Sequence, residues 1–286
     1  MAAMTTSLTG APSACASDWA SISWKLAEKQ VKRLQVRIAK AFREGKTGKV
    51  KALQRLLTQS FYAKCLAIKR VVSNKGAKTP GVDGILWRTP LQRIKAVKSL
   101  RRRGYKPQPL KRIHIPKNNS KTRYRPLSIP TMRCRAMQAL HMLSLESIAE
   151  EWADPNSYGF RPKRSVADAI EQCFVALSKK RSSQWVYEGD IRACFDRLSH
   201  PWILDNIPMD KVILGKFLKS GYMENGVIYP TFQGAAQGGV ISPTISLMAL
   251  AGLERILKER FTNNKVNVVF YADDFVITCA SKELLE

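Results

Sequence analysis

Histidine and paired cysteine are what this sequence has least of. Three histidines (His114, His141 and His200) and six cysteines (15, 65, 134, 173, 194 and 279) are scattered along 286 residues, with no CxxC pair and no metal-ligand spacing. That argues against a zinc site. Cysteines inside apolar periodic stretches fit reduced core thiols. Long hydrophobic runs are missing too. The longest, Val240–Leu253, is broken by Pro243 and is short of the ~20 residues a membrane helix needs. No Lys or Arg precedes Lys25 and no apolar run follows the start, which argues against a secretory signal. The expectation is a soluble, cytoplasmic protein with no membrane partner.

Acidic residues are also scarce. Asp plus Glu number 22 against 48 Lys plus Arg, a formal net charge of +26. Such a surplus repels itself and usually answers a polyanion, most often nucleic acid. The basic residues spread over the first two thirds of the chain instead of gathering beside an apolar anchor, so a membrane surface fits less well. Hydrophobic residues make up 45%, enough for one large globular domain or two subdomains.

Residues 1–22, rich in Ala, Ser and Thr, read as a frayed leader. Trp24, Ala27, Val31, Leu34, Ile38 and Ala41 then follow helical spacing, with Gly45 as the stop. A second helix is predicted through Val50, Leu53, Leu57, Phe61, Cys65, Ile68 and Val72. The opposite faces carry Lys29, Lys32, Arg33, Lys40, Lys51, Arg55, Lys64 and Lys69, nearly all of one sign, which favours phosphate contact over a merely solvated face. Lys75–Gly84 is a Gly/Pro-dense loop, and a short helix spans Leu91–Arg102. Lys111–Pro116 and Tyr124–Pro130 read as edge-like strands because of their prolines, around the basic loop Lys117–Arg123. Met132–Trp152 is helical by period. Ser165 with Asp168 caps a helix whose predicted buried face is Val166, Ala169, Ile170, Cys173, Phe174 and Leu177. Trp185–Ile191 is a strand containing Asp190. Pro201–Gly221 is helical, Val227–Phe232 a strand and Gln233–Gly239 a loop. Ser242 and Pro243 open a helix predicted to run to Phe261.

Val266–Cys279 carries the densest chemical signal. Two β-rich runs, Val266–Tyr271 and Phe275–Cys279, flank the turn Ala272-Asp273-Asp274, a hairpin pattern. Adjacent carboxylates at an apolar hairpin tip repel each other and are most easily tolerated beside a cation. Asp190, at the end of another strand, can join them if the strands are neighbours. Three carboxylates without His or Cys are hard oxygen ligands suited to Mg²⁺. Two such ions, about 3.5–4 Å apart, can activate an attacking hydroxyl and stabilise a leaving oxygen. With a basic surface, that chemistry points to nucleotidyl transfer.

Five blocks then stand in an ordered series: RPLSIP (Arg125–Pro130), SYGFRPKRS (Ser157–Ser165), DIRACFD (Asp190–Asp196), QGGVISP (Gln237–Pro243) and YADD (Tyr271–Asp274). Over about residues 75–286 the chain resembles the reverse-transcriptase region of bacterial group II intron-encoded maturases, and 23–74 resembles their N-terminal extension. The resemblance implies an α+β right-hand polymerase with an antiparallel palm sheet flanked by helices. It implies a leader over 1–22, a helical extension of the fingers over 23–74, fingers over 75–184 and a palm over 185–286. Asp190, Asp273 and Asp274 would be catalytic and bind two Mg²⁺ (Mn²⁺ as substitute), with the Ile191 carbonyl an extra ligand. Lys117 and Arg125 would grip the dNTP, Lys121 or Arg123 being alternatives to Lys117. Phe195 would be the steric gate against a ribose 2′-hydroxyl, and Gln237 and Gly238 would lie against the nascent base pair. Arg161 could touch nucleic acid or brace the palm, and Tyr271 could support the primer or simply pack. Ala235-Ala236 and Ala249 depart from the family's usual residues.

The implied activity is RNA-directed DNA polymerisation on intron RNA. Its partners would be group II intron RNA, an RNA template with a DNA primer, and dNTPs; a homo-oligomer is left open. The alternative is an RNA-binding splicing cofactor fragment without polymerase activity. A reverse transcriptase of a diversity-generating or defence system fits SYGFRPKRS less well. The chain stops at Glu286, soon after YADD, so the expectation is a fingers–palm part of a longer protein without its thumb.

Overall fold

A computed structural model of the chain describes residues 18–116, 122, 124–262 and 265–286. Three helices begin it: α1 (Trp24–Arg43), α2 (Thr47–Gln59) and α3 (Phe61–Ser73). The α1 face at Ala27, Val31, Ile38 and Ala41 is buried, and Gly45 turns the chain at φ 66°, as expected of a glycine stop. The second predicted helix is in fact two. Ser60 is extended (φ −60°, ψ 133°) while its carbonyl already accepts from the Lys64 amide. This one-residue break folds α3 back so that Ala63, Cys65, Ala67, Ile68 and Val71 are buried.

After a 3₁₀ turn (Lys75–Lys78) comes α4 (Pro90–Ser99). It is shorter than predicted and opened by a Thr89–Gln92 capping box with Pro90 in its first turn, an arrangement worth about 1 kcal/mol. Helix α5 (Met132–Trp152) matches its predicted bounds and is buried nearly all round, including Arg135, Gln138 and His141. Helices α1, α2 and α3 and a later helix over Ser242–Leu250 all lean on it. It is the spine of the main core.

Two sheets flank this core. In the first, β1 (Leu110–Pro116), β2 (Tyr124–Ile129), β4 (Tyr222–Glu224) and β5 (Val227–Tyr229) lie in the order β2-β1-β4-β5. Strand β2 is an edge, as Pro126 requires. Strand β1 is not: it pairs antiparallel with β2 and, at Leu110 and Lys111, parallel with β4. Pro116 escapes conflict by standing at its last position, past that pairing. The second sheet is antiparallel, β3-β7-β6, from β3 (Trp185–Asp190), β6 (Asn267–Tyr271) and β7 (Asp274–Cys279).

The remaining helices are α6 (Val166–Leu177), α7 (Cys194–Arg197), α8 (His200–Asn206), α9 (Lys211–Leu218), α10 (Ser242–Leu250), α11 (Leu253–Arg260) and α12 (Lys282–Leu285). Here two expectations fail. The helix predicted from Ser242 to Phe261 breaks at Gly252, whose φ of 109° is left-handed, and Ser242 is its first residue, not its cap. The α6 capping box of Ser165 and Asp168 is present, but of the predicted buried face only Ala169 is buried. Ile170 and Phe174 are 63% and 68% exposed, because among the described residues nothing packs on that side. No helix of the described residues is long and apolar enough to cross a membrane.

Candidate active site

The hairpin forms where the alternating pattern places it, with a tighter turn than predicted. Tyr271 pairs directly with Asp274, so the turn is Ala272-Asp273 and Asp274 already belongs to β7. Ala272 takes φ 61°, the left-handed conformation that a two-residue hairpin of this twist asks for. On the other side of β7, Asp190 pairs with Asp274 in antiparallel register. Directly opposed residues share a face, so the two carboxylates stand side by side at the sheet's end. The Ile191 amide donates to the Asp273 carbonyl at 3.1 Å, tying the turn to the strand end that bears Asp190.

No Lys or Arg among the described residues forms an ion pair with any of the three aspartates. Burial, then the charges of Asp273, Asp190 and Glu188, raise the Asp274 pKa above the ordinary carboxylate value. This is uncompensated negative charge built from oxygen donors, the chemistry a hard divalent cation answers. The described residues hold no cluster of three or more His, Cys, Asp or Glu in metal-holding geometry. The backbone therefore aligns the carboxylates without closing them on one point. The Ile191 carbonyl accepts from the Cys194 amide at 3.2 Å, which leaves it one lone pair for a ligand. Cys194 is buried near the aspartates; burial is the main cause raising its thiol pKa, and Asp273 and Asp190 add to it.

The other sequence-predicted residues are linked by hydrogen bonds. Phe195 follows a left-handed Ala193, and its ring meets Phe160 edge-on at 5.6 Å. Its carbonyl accepts from the Ala235 amide at 2.7 Å, and at the other end of that loop the Gln237 carbonyl accepts from the Ser128 amide at 2.7 Å. Gly238, at φ 100°, lies so close to Leu127 and the Ser128 carbonyl that a Cβ would fall 2.8 Å from both. The Gln233–Gly239 loop thus joins the Phe195 turn to β2, where Arg125 is exposed and its guanidinium has no ion pair or hydrogen bond with a described residue. Lys117, Lys121 and Arg123 lie outside the described residues.

The SYGFRP segment carries residues that sequence reading passed over. The Tyr158 amide donates to the Phe270 carbonyl and the Phe270 amide to the Asn156 carbonyl, both at 2.9 Å, which adds the segment to the free edge of β6. Gly159 lies under the turn: a Cβ there would be 2.0 Å from the Ala272 nitrogen. Glu254, 1% exposed, accepts from the Asn156 amide at 3.0 Å and its side-chain amide at 2.7 Å. Arg161 is buried and donates to Glu150 and to the carbonyls of Asp154 and Ser157, so it braces this segment. Tyr271 packs with Tyr158, Ala169 and Val269. The glycine in SYGF was the available signal. Nothing in the sequence marks Glu254.

Of the predicted RNA-contacting residues, Lys29, Lys32, Arg33, Lys40, Lys51 and Arg55 are exposed, and Lys64 and Lys69 are half-buried. Lys69 is already engaged by Glu28 at 3.4 Å and the Trp24 ring at 4.6 Å. Lys40 is 3.9 Å from Glu44.

An antiparallel sheet thus ends in aligned aspartates, and the Gln233–Gly239 loop joins the Phe195 turn to the strand that bears Arg125. Residues 115–286 match the reverse transcriptase (RNA-dependent DNA polymerase) family and residues 19–100 match the N-terminal domain of reverse transcriptase. The chain belongs to the reverse transcriptase family. It is 35% identical over 231 residues to protein YkfC of Escherichia coli K12, covering 76% of this chain and 60% of that protein. It is 36% identical over 200 residues to the group II intron-encoded protein LtrA of Lactococcus lactis, covering 67% of this chain and 33% of LtrA. The chain therefore spans between a third and three fifths of these relatives. Among solved structures, a partial Cas6-RT-Cas1–Cas2 complex superposes with a TM-score of 0.46 at 20% identity, over 80% of this chain and 38% of the other.

Proposed function

We propose that this chain is the fingers–palm module of a group II intron-encoded reverse transcriptase, copying intron RNA into cDNA. The fingers would span 75–184 behind the helical extension 23–74, and the palm 185–286. The observation that carries the reading is the direct pairing of Asp190 with Asp274 at the end of β3 and β7, with Asp273 in the adjoining turn. Asp190, Asp273 and Asp274 would hold the divalent ions, two Mg²⁺ in this reading with Mn²⁺ as substitute. Such ions, when bound, lower the pKa of a primer 3′-hydroxyl and offset charge on the departing pyrophosphate. The free guanidinium of Arg125, with Lys117, would grip the dNTP triphosphate by bidentate hydrogen bonds. The Phe195 ring, fixed by Phe160, would exclude a ribose 2′-hydroxyl. Gln237 and Gly238 would flank the nascent pair, where the missing side chain lets backbone approach.

Primer extension on an RNA template with Mg²⁺ and dNTPs tests this. Asp273→Asn should lower the rate at least about a hundredfold, and Phe195→Ala should raise ribonucleotide incorporation. Extension unaffected by Asp273→Asn refutes the assignment. If this chain alone is inactive, the same pair is compared after joining it to the region of a relative that lies beyond the matched part.

The basic exposed faces of α1 and α2 favour a second role, RNA binding that assists splicing. Binding of group II intron RNA should then fall steeply with salt and be indifferent to Asp273→Asn.

A further inference from the structure

A cavity of about 1300 Å³ opens between the N-terminal helices, α5 and the α8–α9 connection, and shares no residue with the candidate active site. Its inner wall is apolar: Phe42, Val50, Leu100, Met137 and Leu140 line it, with Ile207 and Met209 opposite. Three buried polar side chains interrupt this wall, Gln54, His141 and Ser144; Gln54 already donates to the Pro208 carbonyl and Ser144 to the His141 carbonyl. His141 is only 5% exposed, and its ring forms no hydrogen bond with a described residue, only an edge-on contact with Phe217 at 6.0 Å. Burial lowers its pKa to about 4, so the imidazole is neutral and offers one N–H and one lone pair. A ligand with matching polar edges would hydrogen-bond this imidazole where it meets the cavity.

The rim is the opposite in character. Lys51, Arg55, Lys64, Arg101 and Arg103 line it, and none is ion-paired to a described carboxylate. The acids that line the cavity among the described residues are already matched, Asp210 by Arg102 and Asp205 by Lys211 at 3.6 Å. Burial and the neighbouring Arg101 charge depress the Lys64 pKa. Two cations held together beside an opening, with no counter-charge, are the electrostatic complement of a phosphate.

We propose that this cavity binds a nucleotide, its base against Met137, Leu140 and His141 and its phosphate on Lys64, Arg101 and Arg103. The volume exceeds the roughly 300–1,000 Å³ of ordinary small-ligand sites, which suits an unpaired nucleotide still attached to an RNA chain. For that source, though not for the nucleotide chemistry itself, the inference rests on the RNA-binding reading of the N-terminal helices. It turns a diffuse basic surface into a specific contact.

The test uses the whole chain and three probes: an RNA hairpin with one bulged 2-aminopurine, the same hairpin fully paired, and AMP. The bulged hairpin should bind about tenfold more tightly than the paired one, the scale of one stacked and hydrogen-bonded base, and its fluorescence should change on binding. Thr58→Trp, which fills the cavity from its rim, and the pair Lys64→Gln with Arg101→Gln should each abolish that preference, with thermal unfolding checking that both variants are folded. Equal binding of the two hairpins, no binding of AMP and no effect of Thr58→Trp overturn the nucleotide site while leaving general RNA binding intact. AMP binding that Thr58→Trp abolishes, without binding of either RNA, supports the site with a free nucleotide as its source and overturns the RNA reading. Failure of all three probes overturns both.

Discussion

Gly159 decides more of the site's geometry than any carboxylate does. A Cβ at this position would sit 2.0 Å from the Ala272 backbone nitrogen, and backbone cannot rotate away as a flexible side chain can. Gly159→Ala must therefore displace the turn that carries Asp273. The expected result is at least a tenfold loss of primer extension together with about 1–3 kcal/mol of destabilisation. Gly48→Ala is the control: it lies in α2 with nothing within 4 Å and should gain up to about 1 kcal/mol without touching activity. A second residue-scale effect is titratable. His141 is depressed from 6.5 to about 4 in the fold, chiefly by burial, with Asp210 raising it and Arg102 lowering it. An unfolded chain binds the proton more readily, so stability is full above pH 6.5 and is lost progressively as pH falls toward 4. At 1.36 kcal/mol per unit the loss reaches about 3 kcal/mol. Between pH 7 and pH 4.5 the unfolding free energy from urea titration should fall by about 2.5 kcal/mol more in the wild type than in His141→Gln.

At the scale of elements, local rules succeeded where the signal is local. The β6–β7 hairpin, the α5 bounds, the Gly45 stop and the Ser165–Asp168 capping box were legible because propensity, period and turn chemistry agree there. The breaks at Ser60 and Gly252 were not, since the apolar period runs through both. Each break exists for a tertiary reason: the first lays α3 on α5, and the second sets Glu254 beneath Asn156. The cavity was equally hidden, being assembled from Lys51, Lys64, Arg101, His141 and Met209, which only the fold brings together. Helix α6 failed differently. Its apolar stripe is real, but Ile170 and Phe174 face outward and stay exposed, apolar surface of the kind that drives association. Ile170→Glu with Phe174→Glu should leave stability within about 0.5 kcal/mol per site and reduce self-association in sedimentation velocity. A large drop in stability would mean that this face is covered in solution.

Over the whole molecule, burial is distributed unevenly. One continuous core runs from Trp19 through the N-terminal helices and α5 to Met248, while the sheet that bears the aspartates has only a small cluster of its own, Tyr158, Ala169 and Val269. The strands of this sheet are joined by main-chain hydrogen bonds to one another and, at Phe270 of β6, to the segment that holds Asn156 and Tyr158. Because regional stability follows buried apolar contact, amides of β3, β6 and β7 should exchange with deuterium well before those of α5. Partial openings would then expose the hairpin while the helical body stays intact. Divalent ions that bind only the assembled carboxylates would slow exchange there selectively, leaving a footprint confined to one sheet.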